Sequence, residues 1–146
     1  MTGPSQADIR NLARFRYAIR RLVRSSEEAA RKAGLTPHHH QLLLGVAGFT
    51  DKGCATVSDL AEFLQLRHHS VVGLVDRAAA AGLVKRDENP DNRREVHVSL
   101  TADGTRKLRL LATQHHKELN GMRRSLDILE VGPPRATRRG PRRRKT

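Results

Sequence analysis

The chain has 146 residues, which is the length of one domain of ordinary size. Only 3% of the residues are aromatic, so the core must consist mainly of Leu, Val, Ile and Ala, which favours helices over sheets. The net charge of +13 favours a polyanionic partner. It also fits a basic membrane-surface protein, but no window combines a large apolar face with the aromatic anchors of an interfacial helix.

A single cysteine, Cys54, excludes an intrachain disulfide and agrees with a reducing compartment. No run of apolar residues is long enough for a membrane span or a signal peptide. We therefore expect a cytoplasmic protein that has no membrane partner.

Two helices are predicted in the first third of the chain. Apolar residues recur at helical spacing over residues 8–33, and Gly34 follows, where a left-handed residue ends a helix most easily. Thr36-Pro37 predicts the start of a second helix, because Thr is a good N-cap and Pro fits the first turn. This helix is expected to run to about Gly48.

Two short helices follow, separated by about three residues. Thr56 and Asp59 form a capping-box pattern that opens the third helix. The fourth helix is predicted to end at Gly82. Its apolar stripe, which must be its buried side, comprises Val71, Leu74, Val75 and Ala78.

The periodicity then changes to the alternation that is typical of strands, in "LVKRDE" and "REVHVSL", with the turn "NPDN" between them. Thr101 begins a last long helix that extends to about residue 130. Residues 131–146 are rich in arginine and are predicted to be a disordered basic tail. The predicted fold is mainly α with a small β-hairpin wing, in which residues 1–130 form one domain.

Two short helices followed by a hairpin with a basic tip predict a winged helix-turn-helix over residues 36–100. The second helix would bury one side on the first and present the other to a major groove. Its candidate DNA-binding residues are Arg67, His68, His69, Ser70, Gly73 and Arg77, and those of the wing are Arg93 and Arg94.

The segments "GLTPHHHQLLLGV" and "ATVSDLAEFLQLRHHSVVGLVDRAAAAGLVKRDENPDNRREVHVSLTADG" resemble the MarR family of winged helix-turn-helix transcriptional regulators. The resemblance implies a recognition helix at residues 67–81 and a wing at residues 86–96. It implies that Arg94 enters the minor groove of double-stranded DNA, supported by Asp91 and Asn92.

The resemblance also implies a homodimer that is formed by the terminal helices, residues 8–34 and 102–130. The residues expected to form this dimerisation interface are Ile9, Leu12, Phe15, Ile19, Leu119, Met122 and Leu126. A small-molecule effector is a further expectation, and the candidate pocket residues are His38, His39 and His40.

The same residues have other interpretations. Neighbouring histidines on a helix point about 100° apart, so neither His68-His69 nor the triple histidine is a good metal site, and one of His38–His40 is expected to pack in the core. Cys54 could be a redox switch near Lys52. His115 is expected to be a core or interface histidine. No motif of an enzyme is present, and no cofactor or metal is predicted.

The sequence therefore predicts a ligand-responsive repressor that binds pseudo-palindromic operators as a homodimer. The alternative is a nonspecific or architectural nucleic-acid-binding protein whose basic tail dominates the affinity. Deletion of residues 131–146 separates the two, because only the alternative predicts that most of the affinity is lost.

Overall fold

The computed structural model describes residues 3–89 and 92–128. Five helices and a small sheet are formed within these ranges, which confirms the predicted fold class. In chain order the elements are α1 (Gln6–Lys32), α2 (Pro37–Gly48), β1 (Cys54–Thr56), α3 (Val57–Leu64), α4 (His68–Ala80), β2 (Val84–Asn89), β3 (Asn92–Leu100) and α5 (Ala102–Ile128). Asp91 and the predicted basic tail, residues 131–146, lie outside the described residues.

Side-chain caps set the starts of the first three helices. The Ser5 hydroxyl accepts a hydrogen bond from the backbone N–H of Asp8, and the Asp8 carboxylate accepts one from the backbone N–H of Ser5. This capping box begins α1 at Gln6, two residues before the predicted start. The backbone N–H and the hydroxyl of Ser5 both donate to the Asp8 carboxylate, and these two hydrogen bonds lower the pKa of Asp8. Thr36 caps α2, and Thr56 forms the predicted capping box with Asp59 in α3.

One apolar core lies beneath the helix-turn-helix and reaches the base of α5. The four residues of the predicted stripe of α4 are all buried in it, which confirms that side of the helix. The core comprises Ala30, Leu35, Leu42, Leu43, Val46, Ala55, Leu60, Val71, Leu74, Val75, Ala78, Leu83, Val84, Val98, Leu108 and Leu111. Each large side chain that is fully buried contributes roughly 1.5–3 kcal/mol to stability.

The sheet contains a third strand that the sequence pattern did not predict. β2 and β3 form the predicted antiparallel hairpin, and β1 pairs with the other edge of β3, which gives the order β1-β3-β2. β1 has only three residues, with Ala55 opposite Val98 at its centre, so it is too short to show a period of its own. This strand fixes the hairpin to the start of α3.

The two long helices, α1 and α5, form a second layer. They pack against each other and against α2. Thr101 joins α5 to the helix-turn-helix, because its hydroxyl donates to the carbonyl of Gly82 at 2.6 Å and accepts from the N–H of Gly104 at 3.0 Å. A Cβ atom on Gly104 would overlap the carbonyl oxygen of Leu83, so this joint requires glycine.

Apolar side chains remain exposed on both long helices. Ile9, Leu12 and Leu119 are 49%, 57% and 57% exposed, Phe15 is exposed, and Ile19 is partly buried. The side chains of Met122 and Leu126 lie outside the described part of α5. No helix in the described ranges is both long enough and apolar enough to span a membrane.

Candidate nucleic-acid interface

The first turn of α4 presents a continuous polar edge to solvent. His68, His69 and Ser70 are exposed, and so is Arg67, which occupies the N-cap position. The Arg67 side chain makes no capping hydrogen bond, so the backbone N–H groups of this turn have no side-chain acceptor there. Such a helix start offers hydrogen-bond donors to a phosphate and side chains to base edges.

Gly73 and Arg77 form the middle of the exposed side of α4. Gly73 is partly buried, and a Cβ atom at this position would lie 3.3 Å from Nη1 of Arg77. The guanidinium of Arg77 therefore lies over Gly73 and occupies the space that a larger residue would fill. The sequence analysis named both residues as candidate DNA contacts, and the structure places the Arg77 side chain against Gly73.

His68 is turned toward the base of the wing. A cleft of about 360 Å³ lies between α3, α4 and the hairpin. Its lining residues are Thr56, Val57, Ser58, His68, Val72, Arg86, Glu95 and Val96. His68 therefore has polar neighbours on the hairpin, while His69, one residue further along α4, does not line this cleft.

An ion pair connects the recognition helix to the wing. Arg86 on β2 binds the carboxylate of Asp76 on α4. Both side chains are partly exposed, so the pair contributes no more than about 1 kcal/mol to stability. It links β2 to α4 beside the cleft that Arg86 also lines. Sequence reasoning missed this pair, although "VDR" and "LVKR" contain both residues.

The tip of the wing is described only in part. Asn92, Arg93 and Arg94 belong to β3, and their backbone continues the hairpin beyond Glu95. Their side chains, like the whole of Asp91, lie outside the described residues. The predicted contact of Arg94 with a minor groove stays a prediction.

The three consecutive histidines of α2 point in different directions. His38 is exposed, His39 is partly buried, and His40 is only 1% exposed. Burial lowers the pKa of His39, and the positive charges of Arg77 and His38 lower it further. The three side chains therefore have different surroundings, and a role for them in an effector pocket stays a prediction.

His40 packs inside the protein, which confirms the expectation that one of these histidines is a core residue. Its ring stacks on that of His115, with centroids 5.0 Å apart and planes inclined by 14°. Its Nδ1 lies 3.5 Å from the Ser26 hydroxyl of α1, and its buried Nε2 has no hydrogen-bond partner in the described part of the chain. Burial and the nearby His115 lower the pKa of His40.

Cys54 lies on β1 beside a histidine. Its Sγ is 3.6 Å from Nδ1 of His97, and Nε2 of His97 is 3.9 Å from Oε1 of Glu95. The sequence had pointed to Lys52 as its neighbour instead. Within residues 3–89 and 92–128, no three His, Cys, Asp or Glu side chains come together as a metal site.

The fold and the exposed polar edge of α4 define a winged helix-turn-helix protein. Residues 33–95 match the model of the MarR family. The winged helix-turn-helix of this chain is therefore similar to that of the MarR family, the family that the motifs in its sequence had indicated.

One curated relative is an uncharacterised HTH-type transcriptional regulator, YfiV of Bacillus subtilis, which is 34% identical over 88 residues. The alignment covers 60% of this chain and 53% of that protein, so the chain matches only about half the length of this relative.

Solved structures share the fold over most of the chain. NadR in complex with 4-hydroxyphenylacetate has a TM-score of 0.68 and 19% identity, and the match covers 90% of this chain and 100% of that one. A mutant of MarR from Escherichia coli, complexed with operator DNA, has a TM-score of 0.62 and 22% identity, with 82% and 91% of the two chains covered.

Proposed function

We propose that this protein is a homodimeric, sequence-specific DNA-binding transcriptional regulator. The observation that supports this function best is the first turn of α4, where Arg67, His68, His69 and Ser70 are all exposed while the opposite side of the helix is buried. A helix held in this way can enter a major groove without disturbing the core.

The roles of the exposed residues follow from their positions on α4. His69 and Arg67 face away from the wing cleft and would contact base edges, together with Arg77. His68 faces Arg86 and Glu95 and would contact the sugar-phosphate backbone between the helix and the wing. We propose that Arg93 and Arg94 at the wing reach the minor groove, where arginine is attracted to narrow A·T tracts.

Dimerisation is supported by the exposed apolar side chains of α1 and α5. Ile9, Leu12, Phe15 and Leu119 would be covered by the same helices of a second copy, together with Ile19, Met122 and Leu126. Two recognition helices would then contact half-sites about one helical turn apart, which a pseudo-palindromic operator supplies. Action on chromosomal DNA implies a cytoplasmic location.

We further propose that the protein is a repressor that responds to a small molecule. The match to NadR, whose structure contains 4-hydroxyphenylacetate, supports this part of the proposal. An effector that favours one spacing of the two recognition helices would change the DNA affinity by about 1–3 kcal/mol.

The test is a selection of bound sites from genomic fragments, followed by mobility-shift titrations at several salt concentrations. Arg67→Ala and His69→Ala should each weaken binding to the selected site by about 1–3 kcal/mol and relax its base preference. Arg109→Ala is the matched control, because Arg109 is exposed on α5 outside the winged domain.

Arg94→Ala should also weaken binding at the wing. If the wild-type protein selects no sequence at physiological salt, the regulator function is wrong. If deletion of residues 131–146 removes most of the affinity for every sequence, the alternative of a nonspecific nucleic-acid-binding protein is correct instead.

A further inference from the structure

The outer side of α1 carries a concentrated positive charge. Between Ile9 and Ser26 this helix contains six arginines and no acidic residue. All six are exposed, and they are Arg10, Arg14, Arg16, Arg20, Arg21 and Arg24. From Arg10 to Arg24 the helix rises about 21 Å. We call these six residues the arginine face.

The arginine face points away from the body of the protein. At about 100° per residue, the six arginines fall within an arc of roughly 160°, opposite Leu12, Phe15 and Ile19. Ser26 and Ala30 mark the inner side of the same helix, because Ser26 contacts His40 and Ala30 is buried. A second copy that covers Leu12, Phe15 and Ile19 would therefore leave most of the arginine face in solvent, whereas Ile9 falls within the arginine arc in projection.

The fold does not explain these charges. Among the residues that the structure describes, only Arg24 of the six has a carboxylate partner, Glu28 at 3.4 Å, and Arg21 lies over the ring of Tyr17 at 5.9 Å. Like charges four residues apart, such as Arg10 and Arg14 or Arg16 and Arg20, each destabilise a helix by roughly 0.2–0.5 kcal/mol. The arginine face thus lowers the stability of α1 and gains little within the chain.

We propose that the arginine face binds the phosphate backbone of a second DNA duplex, separate from the one at the recognition helix. A length of about 21 Å corresponds to about six base pairs at about 3.4 Å each, so the face can lie along one backbone of a duplex. Arginine is suited to this contact because its guanidinium forms paired hydrogen bonds with phosphate.

A lipid surface fits this helix less well than DNA does. An interfacial helix must insert its apolar side among the lipids, whereas the proposed dimer would cover Leu12, Phe15 and Ile19 on that side of α1. The two DNA surfaces also lie on different parts of the molecule, because α1 packs on α2 and α5 while α4 packs on α2, α3 and β2. A protein with both surfaces connects two duplexes. This proposal rests on the proposed function only for the identity of its first partner.

A two-duplex capture experiment tests the proposal with the full chain. One duplex containing a selected site is fixed to beads, the protein is added, and retention of a second, fluorescent duplex of random sequence is measured. The triple variant Arg10→Gln, Arg14→Gln, Arg21→Gln removes three charges that lie within about 40° of each other, and Gln preserves helix propensity. This variant should retain at least about tenfold less of the second duplex, because three phosphate contacts are lost. Each lost contact should also reduce the slope of log affinity against log salt concentration by about 0.9.

The matched control removes the same number of charges from the basic tail, by Arg142→Gln, Arg143→Gln and Arg144→Gln. The proposal holds if the α1 variant loses the second duplex, keeps binding of the first within about threefold, and the tail variant retains both. It is overturned if the α1 variant captures the second duplex as the wild type does, if the tail variant loses it equally, or if the wild type captures none. Capture of anionic vesicles but not of the second duplex also overturns it.

The same experiment separates this proposal from the regulator function. The variant Arg67→Ala, His69→Ala should lose its preference for the selected site but still bind random duplex through α1. If that variant keeps the wild-type preference for the selected site while the α1 variant loses the second duplex, the proposed role of the recognition helix is wrong. The proposal that the arginine face binds DNA would still hold.

Discussion

The winged helix-turn-helix and the pair of long helices bury apolar residues to very different extents. In the former, Leu42, Leu60 and Val75 are fully buried in the core that the chain itself forms. In the latter, Leu12 and Leu119 remain more than half exposed. Under the proposed function, the difference fits a DNA-contacting unit whose core forms within one chain and long helices that a second copy would cover.

The strongest test of this difference is to prevent association of the long helices. Leu12→Asp places a charge on the exposed apolar side of α1, so the protein should become monomeric in sedimentation velocity. Its affinity for a two-half-site operator should fall by about 100-fold, because the second half-site contact is no longer intramolecular. Ala13→Asp, at an exposed position among the residues of the arginine face, introduces the same charge and should leave the dimer intact. A dimeric Leu12→Asp protein would contradict the proposed interface.

Truncation of the helix-turn-helix core should have the next largest effect. Leu60→Ala should lower the free energy of unfolding by about 2–5 kcal/mol, because Leu60 is completely buried. In urea titrations, the stability lost through Leu60→Ala should not depend on protein concentration. Leu119→Ala should instead show a cost that shrinks on dilution, since its contacts are made only in the dimer. Equal behaviour of the two variants would remove the distinction between the regions.

A substitution at the joint between the two regions should have a smaller effect on stability. Gly104→Ala should cost about 1–3 kcal/mol, since its Cβ atom would overlap the Leu83 carbonyl and force the start of α5 to shift. Thermal denaturation should compare it with Gly121→Ala, where the new atom meets nothing within 4 Å. That control should stabilise the helix by up to about 1 kcal/mol. A neutral Gly104→Ala variant would show that the joint is not tightly packed.

The contact that His40 makes between the two regions should have the smallest effect on stability, and this effect should appear only within a limited range of pH. The pKa of His40 in the folded protein lies below its ordinary value of 6.5. Above pH 6.5 the histidine is neutral in both states, so it contributes its full share of stability. As the pH falls from 6.5 through the lowered folded value, the unfolded chain binds a proton first and stability is lost.

Urea titrations between about pH 7 and pH 5 would measure this loss. His40→Gln should flatten the dependence, leaving the part that is due to His39, whose pKa is also lowered. His116→Gln, at an exposed position on α5, should leave the dependence unchanged. An unaltered slope in the His40→Gln protein would show that this residue does not control it.

Local patterns in the sequence predicted most of the helical framework. The stripe of Val71, Leu74, Val75 and Ala78 predicted the buried side of α4. Buried residues recur at helical spacing along one short segment, so the sequence of that segment is enough to identify them. The caps at Thr36 and Thr56 were predicted for the same reason, since the residues that form them lie within three positions of each other.

Contacts between distant segments could not be predicted in this way. β1 is stabilised by its pairing with β3, which is more than 40 residues away, and its three residues carry no strand period. The stacking of His40 on His115 and the pairing of Arg86 with Asp76 depend on how α2, α4, α5 and the wing pack together.

The glycine in the middle of α4 has a consequence for how such a protein changes its targets. A new side chain at Gly73 would displace only the flexible guanidinium of Arg77, whereas a change at Val71 or Leu74 would disturb the buried core. Under the proposed function, substitutions on the exposed side would therefore alter base preference at almost no cost in folding. The choice of target genes and the integrity of the scaffold can thus evolve as separate traits.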